Sequence, residues 1–138
     1  MLTIPRDISE QIRRDAHAAF PEECCGILLG RVVEPDRREV LAAIPCRNAH
    51  PQPGMHYSIA ADELIEAQRD ARDRHFAIVG FYHSHPSQPA EASSTDQADA
   101  YWKGCSYLIL GVNEGGLEME SHVCAAEQIL VPEPLEII

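Results

Sequence analysis

His83 and His85 stand two residues apart where the apolar run Phe76–His83 ends. On an extended strand both imidazoles project to one side and Ser84 faces the other. Pro86 cannot donate a strand hydrogen bond, so the chain is expected to leave the sheet there. Ten residues separate His85 from Asp96, which falls in the first turn of a segment that reads as a helix start, with Ser93 or Ser94 as its cap. Two ring nitrogens and one carboxylate can then converge. Taken alone, a His-x-His pair is as readily two strand histidines satisfied by their neighbours. With the carboxylate, and a fourth tetrahedral position open to water, the set has the make-up of a catalytic zinc site; a closed structural site wants a fourth protein ligand. A water activated in this way still needs a base to take its proton and pass it to a leaving amine. Glu22 and Glu23, just before the first apolar strand, are the candidates by position.

The elements that must hold these groups follow from periodicity and punctuation. Ile8, Ile12, Ala16 and Ala19 mark one face of a helix over Asp7–Phe20, stopped by Pro21. Cys25–Val33 and Glu39–Ile44 read as a hairpin about Glu34, Pro35 and Asp36. Residues 45–56 hold three prolines and a glycine and read as a rim or flap loop, with His50 and His56 exposed to solvent. Ser58 is a cap candidate for a helix that runs to about Arg74, with Ile59, Leu64, Ile65 and Ala67 on its apolar side. Strands over Tyr107–Val112, Leu117–Cys124 and Gln128–Val131 complete the chain, the first two joined by a turn at Asn113–Gly116. His17, His75 and His122 read as surface or satisfied residues, and Tyr82, Trp102 and Tyr107 as core or sheet-face aromatics.

Composition narrows the function classes. With 138 residues, 45% hydrophobic and 24% charged, the chain is expected to form one domain over residues 1–138 with its own core. Eleven Lys and Arg against 22 Asp and Glu leave a formal charge of −11. That charge opposes phosphate backbones and anionic headgroups, so neither nucleic acid nor a membrane is expected as a partner. No run approaches the ~20 apolar residues of a spanning helix, and the polar start MLTIPRDISEQIRRD is unlike a secretory signal. Five cysteines, Cys24, Cys25, Cys46, Cys105 and Cys124, show no Cys-x-x-Cys spacing. A cytoplasmic protein with free, mostly buried thiols is expected. Cys24 and Cys25 make poor nucleophile candidates, since neither has a neighbouring His and Cys25 opens an apolar strand.

Residues 79–96, VGFYHSHPSQPAEASSTD, and residues 21–30, PEECCGILLG, together resemble the JAMM family of metalloproteases, also called MPN-plus. The family pattern is an upstream Glu, then His-x-His, ten residues and Asp, with a Ser three before the Asp. It falls without a gap on His83, His85, Ser93 and Asp96. The Glu-x-Cys-Gly register selects Glu23 and leaves Glu22 one place out. The resemblance spans roughly residues 5–125 and includes an Asn48–Tyr57 segment similar to the family's stretch before its central helix.

The resemblance implies an α/β fold, a mixed β-sheet flanked by helices and similar to the cytidine deaminase architecture. It implies Zn2+ on His83, His85 and Asp96, Glu23 as the base that orients and deprotonates the water, and Ser93 as an oxyanion donor. The implied substrate is a ubiquitin-like protein, cut at the peptide or isopeptide bond after its Gly-Gly tail. A chain this short is most similar to the small prokaryotic members that process ubiquitin-fold sulfur-carrier proteins. An edge strand beside the site could hold such a tail by strand addition. Two other classes remain. A zinc deaminase would carry His-x-Glu and Pro-Cys-x-x-Cys signatures, which are missing here. A non-catalytic binding module of the same fold would have lost ligand positions, and all are present. The oligomeric state is not addressed by the sequence.

Overall fold

The computed structural model describes residues 1–138. Leu2–Ile4 forms a three-residue strand, β1, that leads into helix α1, Arg6–Ala19. Ile8, Ile12 and Ala16 recur every four residues on the buried face of α1, as the sequence spacing requires. Strands β2, Cys25–Glu34, and β3, Arg37–Cys46, form the expected hairpin, each longer than its apolar run; the outer end of β2 projects into solvent, whereas that of β3 carries the buried Arg38. Helix α2 covers Ala61–Asp73. Its cap is Ala60, not Ser58, and no side chain caps it. The Ser58 N–H is instead bound by the Asn48 side-chain oxygen at 3.1 Å, which keeps that residue in the loop. Asp62 and Glu63 in the first turn supply the negative charge that a helix start favours. Ile65 points outward at 48% exposure, so the buried stripe is Ala67 and Ala71, with Leu64 half-buried beside it.

Strand β4, Ala77–Pro86, runs three residues beyond the expected end at His83. Pro86 lacks only the donor, and the next residue, Ser87, makes the last bond to β5 from its N–H to the Val112 carbonyl at 2.6 Å. After the five-residue helix α3, Ser94–Ala98, come β5, Ser106–Asn113, β6, Gly116–Ala126, β7, Ile129–Glu133, and a last strand β8, Leu135–Ile137. The eight strands form one mixed sheet in the order β7-β6-β5-β4-β2-β3-β1-β8, with β4 antiparallel to β2 and parallel to β5. Although β7 and β8 stand at opposite ends of that order, only Pro134 separates them in sequence. The sheet must therefore curl until its two edges meet at one end. At that end the buried Arg38 spans the gap from β3, donating to the Ser106 hydroxyl at 2.8 Å and to the Glu133 carboxylate at 2.7 Å.

Each face of the sheet has its own core. On one, Ile8 and Ile12 of α1 pack with Leu28, Val79, Leu108 and Leu110. On the other, Ala67 and Ala71 of α2 pack with Ile27, Leu29, Phe81 and Tyr107. At about 1.5–3 kcal/mol for each buried Ile or Leu, α1 is held by side-chain burial, whereas α2 is held by the close approach that its alanines permit. The first core also explains one glycine of the Glu-x-Cys-Gly element. Tyr82 crosses β2 to donate its hydroxyl to Asp15 of α1 at 2.8 Å, and a Cβ on Gly26 would stand 2.2 Å from its ring.

Candidate metal centre

The site lies at the open end of the sheet, where β4 finishes beside the start of β2. His83 and His85 share a face, and both are buried. Ser84 points the other way and its hydroxyl accepts the Cys24 N–H at 2.8 Å, while the Ser84 N–H returns a bond to the Cys24 carbonyl at 3.2 Å. That reciprocal pair holds the residue before Cys24, namely Glu23, next to the histidines. Asp96 is brought in by a capping box: the Ser93 hydroxyl accepts the Asp96 N–H at 3.0 Å, and the Asp96 carboxylate accepts the Ser93 N–H at 2.9 Å. Ser93, not Ser94, is thus the cap of α3.

The three side chains meet through their tips. The Nε2 atoms of His83 and His85 are 3.1 Å apart; Asp96 Oδ1 lies 3.1 Å from the first and Oδ2 lies 3.0 Å from the second. These separations approach the ~3.3 Å edge of a tetrahedron with bonds of about 2.0–2.1 Å, the zinc–nitrogen and zinc–oxygen range. The protons point to the same conclusion. A carbonyl can only accept, so the 2.9 Å contact between His85 Nδ1 and the Pro89 carbonyl puts a proton on Nδ1, and in the neutral ring, the form in which histidine binds a metal, Nε2 then carries the lone pair. That lone pair faces another ring nitrogen and a carboxylate, a crowd of acceptors that one shared proton cannot satisfy. His83 Nδ1 is buried with no hydrogen-bond partner. A divalent cation is the group this donor set fits, and His83, His85 and Asp96 could hold it. Burial lowers the pKa of His83, which keeps its imidazole neutral, as a ligand must be. Burial alone would raise the Asp96 carboxyl, but its contacts with the His83 and His85 rings hold it below the usual carboxylate range.

A cavity of about 150 Å³ opens onto this cluster, lined by Glu23, His56, Tyr57, His85, Ser93 and Asp96 among others. Glu23 is 7% exposed, and burial pushes its carboxyl up to about 7. Glu22 is exposed and lies outside this cavity. The Ser93 hydroxyl uses its oxygen within the capping box, which leaves its O–H proton free to donate. Burial raises Cys24 to about 12 and raises Cys25 as well, which disfavours the thiolate form of both.

The Pro-rich flap is more ordered than its composition implies. Asn48 donates to the carbonyls of Glu23 at 3.1 Å, His56 at 2.9 Å and Pro53 at 3.4 Å, and accepts the N–H groups of His50 and Ser58. His50 and His56 are accordingly half-buried, their ring centroids 4.9 Å apart, rather than solvent-exposed. Tyr57 stacks on His83 with ring centroids 4.3 Å apart and forms one wall of the cavity. Sequence reasoning gave Tyr57 and Asn48 no role; their only signal was membership of the Asn48–Tyr57 segment. His122 is buried opposite Tyr107 and its Nδ1 has no partner, so it is neither a surface residue nor a fully satisfied one.

Fold and site together define a mixed α/β protein with a candidate metal centre where its central strand ends. Residues 5–123 match the family described as prokaryotic homologs of the JAB domain, and the chain belongs to that family. It is 38% identical to a desampylase of Haloferax volcanii over 74% of this chain and 71% of the relative. It is 32% identical to a probable TtuB-protein conjugate cleaving protease of Thermus thermophilus over 82% of this chain and 72% of the relative. Among solved structures, protein DSY2949 from Desulfitobacterium hafniense superposes with a TM-score of 0.88 at 29% identity, over 100% of this chain and 93% of that one. No helix is long and apolar enough to cross a membrane.

Proposed function

We propose that this chain is a zinc metallopeptidase that hydrolyses the peptide or isopeptide bond after the C-terminal Gly-Gly tail of a ubiquitin-like or sulfur-carrier protein. The observation that carries the reading is the cluster of His83, His85 and Asp96 beside a cavity that a buried Glu23 also lines. It occurs in a chain related to a desampylase and to a protease named for cleaving TtuB-protein conjugates. His83, His85 and Asp96 hold the metal. A bound zinc ion supplies a Lewis acid for the scissile carbonyl and acidifies a water molecule. Glu23 takes the proton of the attacking water and delivers it to the leaving amine, a double duty suited to a carboxyl whose pKa burial has raised toward neutrality. The Ser93 O–H donates to the oxyanion as charge develops there.

The test is intact-mass spectrometry of a ubiquitin-fold sulfur carrier extended beyond its Gly-Gly end, after incubation with zinc-loaded protein and, in parallel, with chelated protein. A cut after the second glycine that disappears on chelation is expected. An uncut carrier in the presence of zinc-loaded protein, across a panel of such carriers, would overturn the peptidase reading in favour of a binding module.

A further inference from the structure

A row of three residues crosses three neighbouring strands beside the metal centre. His85 on β4 pairs with Gly111 on β5, and Gly111 pairs with Glu118 on β6. The space above Gly111 is filled by the peptide group that joins Pro89 to Ala90. Its carbonyl accepts the His85 Nδ1 proton at 2.9 Å, and its N–H donates to Glu118 Oε1 at 2.8 Å. The fit leaves no room for a side chain between the two residues. A Cβ on Gly111 would stand 2.8 Å from the Ala90 nitrogen, 3.0 Å from the Pro89 carbonyl carbon and 2.7 Å from the Gln88 oxygen. Both ends of one amide are therefore engaged, one by a carboxylate and the other by an imidazole.

An amide whose N–H is held by an anion is polarised, and its carbonyl becomes a stronger acceptor. A stronger acceptor on Nδ1–H makes the far nitrogen of the ring more basic and fixes the ring's orientation. A carboxylate placed directly on a ligating histidine acts in the same way. We propose that Glu118 is a positioning residue for the metal centre: through the Pro89–Ala90 peptide it orients His85 and strengthens its Nε2 as a ligand, two hydrogen bonds away from the metal. The inference rests on the reading of His83, His85 and Asp96 as metal ligands. It adds to that site a residue that lies on the exposed side of β6 and touches none of the ligands.

The experiment measures zinc affinity by competition with a chromophoric chelator for wild-type protein, Glu118→Gln and Glu118→Ala, and records the His85 Nδ1–H resonance in each zinc-loaded form. Glu118→Ala is expected to weaken zinc binding up to about 10-fold, the low end of the range for a group bonded directly to a ligand, and to move the Nδ1–H resonance. Glu118→Gln keeps an acceptor for Ala90 without the charge, so both its affinity and its resonance are expected between those of the other two. A variant that disturbed only the strand would lower the melting temperature without that graded order. Equal zinc affinities and an unmoved resonance in Glu118→Ala would overturn this inference and leave the metal reading intact. Wild-type protein that bound no zinc would overturn both.

Discussion

The two ends of the sheet bury comparable polar groups and treat them in opposite ways. At the closed end Glu133 accepts from Arg38, Ser106 and Ser121 at 2.6–2.8 Å, and none of these four side chains has a buried polar atom left without a partner. At the open end His83 Nε2, His85 Nε2 and the Asp96 carboxylate face one another across about 3 Å, with no lysine or arginine among them. A satisfied buried network offsets the cost of its own desolvation, and breaking it is costly because a charge is then stranded. An under-satisfied one costs stability and persists where a ligand completes it. The contrast separates the end of the molecule that holds the sheet together from the end where the candidate metal centre lies.

Substitutions should divide along the same line. Glu23→Gln is expected to lower the cleavage rate by about 10²–10⁴-fold, with zinc content unchanged and little shift in melting temperature; a variant with wild-type turnover would remove Glu23 from the mechanism. Glu133→Ala should do the reverse, costing about 3–5 kcal/mol in denaturant unfolding while the folded fraction still binds one zinc. Gly26→Ala forces a methyl into the Tyr82 ring and should cost about 1–3 kcal/mol; an unchanged denaturation midpoint would show that the ring can move aside. The smallest effect concerns pH. Burial alone would raise Glu133, but hydrogen bonds from Ser106, the Met1 amino group, Ser121 and Arg38 bring its carboxyl below the ordinary 4.5. Its contribution to stability is therefore full above about pH 4.5 and lost as pH falls through the lower folded value. Glu133→Gln should flatten the acid limb of the stability profile, and an identical limb in the variant would argue against the paired carboxylate.

The open end could be read from the sequence because its chemistry is local. A period of two sets His83 and His85 on one face, and the cap three residues before Asp96 sets the helix that delivers the carboxylate. The main strands and α1 were readable for the same reason, each having a run long enough to show its period. The closed end was not. β1 and β8 have three residues each, too few for any pattern, and they exist because the chain returns to pair them with each other and β1 with β3. Arg38 is one of several charges beside the β2–β3 turn, and only the curl of the sheet buries it against Glu133. Ser58 misled because its propensity for capping was overridden by the loop, where its own N–H donates to the Asn48 side-chain oxygen. Tyr57 and Glu118 act across space, through a stacked ring and through a peptide, and neither relation leaves a periodic trace.

The central claim is a division of labour in which His83, His85 and Asp96 hold the metal and Glu23 moves the proton. Native mass spectrometry of Glu23→Gln, with the same sample assayed on a carrier extended past Gly-Gly, tests it in one measurement. One zinc per chain together with an uncut carrier is the predicted result. A cut carrier would contradict the role of Glu23, and a variant emptied of zinc would make Glu23 a part of the metal site rather than the base beside it.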